Sequence, residues 1–93
     1  MNAKETVTEI TLTYPIKVGD EALTILRIRR PKAKDFREIG NMDKPFDAML
    51  DFAASLADIA PSAIDQLDVD DVPKVIEVVS GFLGKFPEIG KTS

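Results

Sequence analysis

The sequence predicts an α+β fold in which an N-terminal antiparallel β-hairpin is followed by a bundle of three to four helices. Residues 7–18 alternate between apolar and polar side chains with a period of two, as half-buried strands do, and a second β-rich run follows at 22–30. After Pro31 the apolar side chains recur every three to four residues, which is the period of helices. Because the strands and the helices are segregated along the chain, α+β is favoured over an alternating α/β fold.

A chain of 93 residues is expected to form a single domain. We assign this domain to residues 7–86, with the hairpin at 7–30 and the helical part at 32–86. Residues 1–6 and 87–93 are expected to be flexible. A domain of this size buries a modest core, so we expect partners or self-association to contribute to its stability.

The hairpin is predicted from two β-rich runs joined by a turn. In the first run, the apolar side chains at even-numbered positions share one face: Ile10, Leu12, Tyr14, Ile16 and Val18. Pro15 lies inside this run and indicates an edge strand or a break, because proline cannot donate a hydrogen bond to a neighbouring strand. Gly19-Asp20-Glu21 has turn chemistry, and the second run extends from Ala22 to Arg30.

The first two helices are bounded by glycine and proline. A short helix is predicted from Lys32 to Ile39, closed by Gly40-Asn41. A longer helix begins near Pro45, with Asp43 or Lys44 as its N-cap, and Pro61 ends it. Its apolar stripe is predicted to consist of Phe46, Met49, Leu50, Ala53, Leu56 and Ala57.

Two further helical segments complete the predicted bundle. Ser62 to Asp65 has the form of a capping box, with Asp in the place of Glu or Gln, and opens a short turn to Leu67. The last helix is predicted to start at Asp70 or Asp71 and to end near Gly84. Its apolar residues at helical spacing are Val72, Val75, Ile76, Val79, Phe82, Leu83 and Phe86.

The composition argues against an enzyme, a metal site and a cofactor. The chain contains no cysteine and no histidine, which removes the thiol nucleophile, the commonest general base and the commonest transition-metal ligand. A calcium loop starting at Asp68 would need glycine where Pro73 stands. Helix capping accounts for Asp65, and for Asp70 or Asp71, without a metal. We therefore expect no catalysis, no metal and no cofactor.

Membrane and nucleic-acid functions are also disfavoured. No apolar run approaches the roughly 18 residues of a membrane span, and the N-terminus has no signal-peptide core. The net charge of −4 and the pI of about 4.7 are opposite to those of a typical nucleic-acid-binding domain. We expect a soluble intracellular protein that binds other proteins.

The charges are distributed unevenly, which suggests a site of self-association. Six of the twelve basic residues lie between positions 27 and 37, whereas residues 43–77 carry nine acidic and two basic side chains. The two regions could complement each other within one molecule, could join successive molecules, or could simply face solvent. The candidate self-association residues are Arg27, Arg29, Arg30, Asp68, Asp70 and Asp71.

A series of short motifs extends from Ile10 to Leu83, over about four fifths of the chain. The motifs are Ile-Thr-Leu-x-x-Pro-Ile-x-Val at 10–18 with the Gly-Asp turn after it, Leu-Arg-Ile-Arg-Arg-Pro at 26–31, Lys-Ala-Lys-Asp-Phe at 32–36, Pro-Ser-Ala-Ile-Asp-Gln-Leu-Asp at 61–68 and Val-Val-Ser-Gly-Phe-Leu at 78–83. In this order and spacing they resemble the E-type tail assembly chaperone family of contractile-tailed bacteriophages and prophages.

The resemblance implies a chaperone that binds the tape measure protein, keeps it soluble in the host bacterial cytoplasm and is absent from the mature virion. It further implies a longer form of the chain, made by ribosomal frameshifting, as a partner. The uneven charge and the small size of the chain in turn predict weak homo-oligomers. A groove between apolar helices can receive a helix of such a client. The residues that we select for this contact are Val79, Phe82, Leu83 and Phe86, with ordinary core packing as the alternative. The competing functions are a small structural tail or head-completion component of the virion, and a bacterial regulatory adaptor.

Overall fold

A computed structural model of the chain describes residues 7–39 and 44–84. The elements are β1 (Val7–Val18), β2 (Glu21–Arg29), α1 (Ala33–Arg37), α2 (Pro45–Ala57), α3 (Pro61–Ile64) and α4 (Val72–Leu83). The predicted α+β class, an antiparallel hairpin followed by helices, is therefore confirmed. The flexible ends predicted at 1–6 and 87–93, the helix end at Gly40-Asn41 and the cap at Asp43 lie outside the described residues, and the domain limits stay a prediction.

The hairpin contains an irregularity that its alternating sequence does not reveal. Thr11 pairs with Ile25 and Ile16 pairs with Leu23, so the residues at 12–15 of β1 lie opposite Thr24 alone. This is a large bulge, and Pro15 within it explains why the regular ladder stops there. Tyr14 was predicted to face the core and instead is 51% exposed, because the bulge turns its side chain outward. The turn at the tip is made by Gly19, whose φ of 66° suits glycine.

The core lies between one face of the hairpin and helices α2, α3 and α4. Its members come from every one of these elements: Ile10, Leu12, Ile16, Leu26, Ile28, Phe52, Ala53, Ala54, Leu56, Ile64, Val75 and Val79. A large aliphatic side chain in such a position contributes about 1.5–3 kcal/mol when it is fully buried. Phe52, which the predicted stripe of α2 omitted, is buried and stacks at a tilt on Phe36 of α1, with ring centroids 5.4 Å apart.

Prolines and a left-handed residue set the ends of the helices. Lys44 is the N-cap of α2 and Pro45 begins its first turn, as predicted. The helix ends in a Schellman motif, with Asp58 in the left-handed conformation and the Ile59 N–H donating to the Ala54 carbonyl at 3.0 Å. The predicted capping box at Ser62 is wrong. Its helix begins one residue earlier at Pro61, which suits the first position of a helix, and Ala60 is its N-cap.

Candidate partner-binding site

The helices α2 and α4 meet near an apolar surface at one end of the molecule. The Ser80 hydroxyl of α4 lies 3.9 Å from the Met49 sulfur of α2, which places the two helices side by side at this point. Phe46, one turn before Met49, is 54% exposed. Phe82 and Leu83, in the turn after Ser80, are only half-buried. We call this surface the helix-end patch and define it as Phe46, Met49, Leu50, Phe82 and Leu83.

The residues predicted to bind a partner differ in their exposure in the structure. Val79 has no exposed surface and belongs to the core, so its selection as a contact residue has to be corrected. Phe82 and Leu83 pack against the core with one side and leave the other side accessible. Phe86 lies outside the described residues. The predicted contact is thus reduced to the last turn of α4.

Phe46 is the contact residue that the sequence pattern did not identify. Its position in the apolar stripe of α2 predicted burial, yet it is among the most exposed large apolar side chains of the described chain. It lies in the first turn of α2, directly after Pro45, and the buried residues of this helix begin only at Phe52. The sequence did offer one indication of this exposure. Phe46 is the first apolar residue of the stripe of α2 and lies at the very start of the helix, where fewer neighbours can cover it.

Two buried carboxylates, Asp71 and Asp35, connect separate parts of the fold through hydrogen bonds. Asp71 directly precedes α4 and was predicted to cap that helix, but its side chain makes no capping hydrogen bond there. Its carboxylate instead accepts hydrogen bonds from the bulge in β1, from Thr13 N–H at 2.9 and 3.0 Å and from Tyr14 N–H at 3.1 Å. Lys74 Nζ lies 3.0 Å from the same carboxylate. The bulge amides, which β2 does not satisfy, therefore find their acceptor 58 residues away in the sequence.

The electrostatics of Asp71 follow from this geometry. The hydrogen bonds from Thr13 N–H, together with Lys74 and Tyr14 N–H, hold the pKa of the Asp71 carboxyl far below its ordinary value. Its side chain is completely buried, so desolvation opposes ionisation, and the donors outweigh that cost. Lys74 also donates to the Thr11 carbonyl at 3.0 Å, which extends the connection along β1.

Asp35 is the second buried carboxylate and lies at the strand-to-helix junction. Its two oxygens accept one hydrogen bond each from the two terminal nitrogens of Arg29, both at 2.9 Å. The Lys32 N–H adds a third at 2.7 Å. The Arg29 guanidinium is the main reason why the pKa of Asp35 falls to about 2. This arrangement fixes the turn between β2 and α1.

The predicted self-association residues are distributed between the surface and internal contacts. Asp71 is buried and fully engaged, so it has to be removed from the set of surface charges. Arg29 is committed to Asp35, and Arg27 pairs with Glu9 at 2.9 Å on an exposed part of the hairpin. Arg30, Asp68 and Asp70 keep accessible side chains. Within residues 7–39 and 44–84, no ion pair joins the arginines at 27–30 to the acidic residues at 68–70.

A small cavity lies between α1 and α2. It has a volume of about 140 Å³ and is lined by Asp35, Glu38, Ile39, Ala48, Asp51, Phe52 and Ser55. Ligand pockets usually measure about 300–1,000 Å³, so this cavity is too small for most metabolites. Within residues 7–39 and 44–84, no group of three or more acidic side chains is placed to hold a metal ion.

The helices in the described part of the chain lack the combination of length and apolar character that crossing a membrane requires. Among the described residues, the exposed large apolar side chains outside the helix-end patch are Val7, Tyr14 and Val69, which lie on the hairpin and in the loop before α4.

A family model described as "Phage tail assembly chaperone proteins, E, or 41 or 14" matches residues 9–84. The match runs from the third residue of β1 to the residue after α4. It therefore includes the bulge, Asp35, Asp71 and the helix-end patch. No curated protein and no solved structure matches the chain significantly. The matching family consists of assembly chaperones and is not a known enzyme family. The resemblance seen in the motifs is thereby confirmed, and the chain belongs to the family of phage tail assembly chaperone proteins E, 41 or 14.

Proposed function

We propose that this chaperone binds the tape measure protein and keeps it soluble in the host cytoplasm until the tail tube assembles. Membership of the tail assembly chaperone family supports the general role. The observation that carries the specific proposal is the helix-end patch, where the exposed ring of Phe46 lies beside half-buried apolar side chains of two helices. A soluble chaperone needs such a surface to cover the apolar surface of a client.

The geometry favours a helical client segment. The groove where two helices meet can receive the apolar face of an amphipathic helix, and aromatic side chains at its rim act as anchors. Burial of apolar surface contributes about 25 cal/mol per Å², so a contact around Phe46 alone yields a weak complex. Several chaperone copies along a long client would shield it collectively, and weak individual contacts would let tube subunits displace them. On this account the chaperone is absent from the mature virion.

The proposal is tested by co-expressing the chain with the tape measure protein encoded beside it, followed by affinity purification and light scattering. We expect a soluble complex with several copies of the chain per tape measure protein. Phe46→Ala should lower the affinity at least about tenfold, because truncation of an aromatic anchor typically costs more than about 1.4 kcal/mol. The melting temperature should stay unchanged, since the ring is exposed.

Val69→Ala is the matched control. Val69 is 78% exposed and precedes α4, whereas the helix-end patch lies at the other end of that helix, roughly 18 Å away for a helix of this length. Its truncation should leave the affinity unchanged. Equal affinities for the two variants would refute the placement of the contact. Failure of the wild type to co-purify, with the chain present in purified particles, would favour the structural virion component instead.

A further inference from the structure

The two outer edges of the hairpin differ in whether their backbone groups have hydrogen-bond partners. The edge of β1 is covered by side chains that follow α3: the Gln66 amide accepts from Lys17 N–H at 2.8 Å and donates to Lys17 C=O at 2.9 Å. Asp71 accepts from Thr13 and Tyr14, and Lys74 donates to the Thr11 carbonyl. These side chains occupy the positions that a neighbouring strand would take, so this edge is closed to further pairing.

The edge of β2 is open by the same geometry. The Lys17 backbone groups and the Thr11 carbonyl point away from β2, so both residues belong to non-hydrogen-bonded pairs. Their partners across the hairpin, Ala22 and Ile25, must also point outward, and alternation along the regular ladder after Ile25 adds Arg27 and Arg29. In the described part of the chain, no group outside the hairpin hydrogen-bonds to the backbone of these residues. They present a row of unpaired donors and acceptors.

We propose that the outer edge of β2 pairs antiparallel with the same edge of a second copy, so that two hairpins form one four-stranded sheet. In this antiparallel arrangement, the outward-pointing backbone groups of one β2 strand face those of the other.

The charges at the strand ends favour antiparallel pairing of two copies. It brings the acidic start of β2 in one copy, Asp20 and Glu21, to the basic end of the strand in the other, Arg30 and Lys32. All four side chains are exposed in the single chain. Glu21 and Arg30 lie at opposite ends of β2, separated by roughly 30 Å at about 3.3 Å per residue, so they cannot pair within one molecule. A second copy satisfies both ends at once, which an uncharged or wholly acidic strand from another protein would not do.

The first test uses Arg27, whose N–H points outward and takes no part in pairing with β1. Arg27→Pro removes this donor from each copy, and proline is tolerated where an edge-strand N–H faces solvent. Arg27→Ala is the matched control, because both variants lose the exposed ion pair with Glu9. Sedimentation equilibrium should show a wild-type dimer, an unchanged Arg27→Ala dimer, and at least about a tenfold higher dissociation constant for Arg27→Pro. Circular dichroism of the two variants checks that the hairpin is intact.

A charge exchange tests the antiparallel orientation independently. Glu21→Arg and Arg30→Glu should each weaken the dimer about fivefold, as expected for exposed charges of opposite sign at neighbouring strand ends, and the double variant should recover most of the loss. Absence of recovery would overturn the antiparallel orientation. A wild-type chain that is monomeric at its highest soluble concentration, or Arg27→Pro and Arg27→Ala dimers of equal strength, would overturn the proposal. A monomeric wild type whose Arg27→Pro variant no longer co-purifies with tape measure protein would assign the edge to a client strand instead of a second copy.

Discussion

The two buried carboxylates of this chain solve different problems. Asp35 binds Arg29, six residues before it, and the Lys32 N–H, so it stabilises a turn between neighbouring elements. Asp71 binds the bulge of β1 from the start of α4 and joins the two ends of the described chain. The first is a local ion pair, and the second is an acceptor for backbone amides that have no strand partner. The comparison teaches that the hairpin bulge obtains its hydrogen-bond acceptor from the helical half of the chain, so Asp71 links the two halves.

The largest effect is expected for Asp71→Asn. The amide keeps one oxygen but turns an NH₂ group toward the Thr13 and Tyr14 donors and leaves Lys74 without its counter-charge. We expect the melting temperature to fall by more than about 10 °C, given the sensitivity of domains of this size. The neighbouring Asp70→Asn is the control, because Asp70 is exposed. If both variants melted alike, Asp71 would have no special role in joining the halves.

Asp35→Asn should have a smaller effect. It removes the charge from a two-pronged contact with Arg29, but the Arg29 side chain is partly exposed and regains water. A loss of about 5 °C in melting temperature is expected for a domain of this size. Asp51→Asn, an exposed carboxylate on the same side of α2, serves as the control and should change nothing. A loss as large as that of Asp71→Asn would remove the distinction between local and long-range contacts.

The pH dependence of the melting temperature should reveal the contribution of each of the two buried carboxylates. Both carboxyls have native pKa values below their ordinary value of 3.8, that of Asp35 at about 2. A group with a lowered native pKa stabilises the fold while it is ionised, and this contribution is lost as the pH falls below about 5 toward the native pKa. The wild-type melting temperature should therefore decrease over this range. The decrease should be shallower in Asp35→Asn and Asp71→Asn, and three parallel curves would contradict the assignment.

The smallest effect is expected where the charges are exposed. Glu9 and Arg27 form a 2.9 Å ion pair on the hairpin, with more than half of each side chain accessible. Exposed pairs of this kind contribute roughly 0–1 kcal/mol. Glu9→Gln should shift the melting temperature by less than about 3 °C, and high salt should abolish even this difference. A shift comparable to that of Asp35→Asn would show that burial does not decide the ranking.

Periodicity was sufficient to predict the architecture but not the contacts that complete it. The even-numbered residues of β1 and the stripe of α4 identified most of the core, because a half-buried element repeats its apolar side chains at a fixed spacing. Tyr14 escaped this rule, since the bulge that exposes it depends on Asp71, far along the chain. A carboxylate before a helix usually caps that helix, and only the tertiary structure reveals that Asp71 bonds elsewhere.

The exposure of the residues at the candidate site could be predicted only in part, for a related reason. Of the residues selected on α4, Phe82 and Leu83 are half-buried and Val79 is in the core, and contact of Phe82 and Leu83 with a partner stays a prediction. An apolar stripe indicates which side chains share one face of a helix. It does not indicate where along the helix the contact with the core ends. Phe46 is 54% exposed because it lies in the first turn of α2, before the buried residues of that helix, which begin at Phe52.

The central claim is that the chaperone covers apolar surface of the tape measure protein through the helix-end patch. It is tested most directly by the fraction of tape measure protein that remains in the supernatant after co-expression and centrifugation. The account predicts a mostly soluble client with the wild type or Val69→Ala, and a mostly insoluble one with Phe46→Ala or without the chaperone. A client that is equally soluble in all four cases, or equally insoluble, would contradict it.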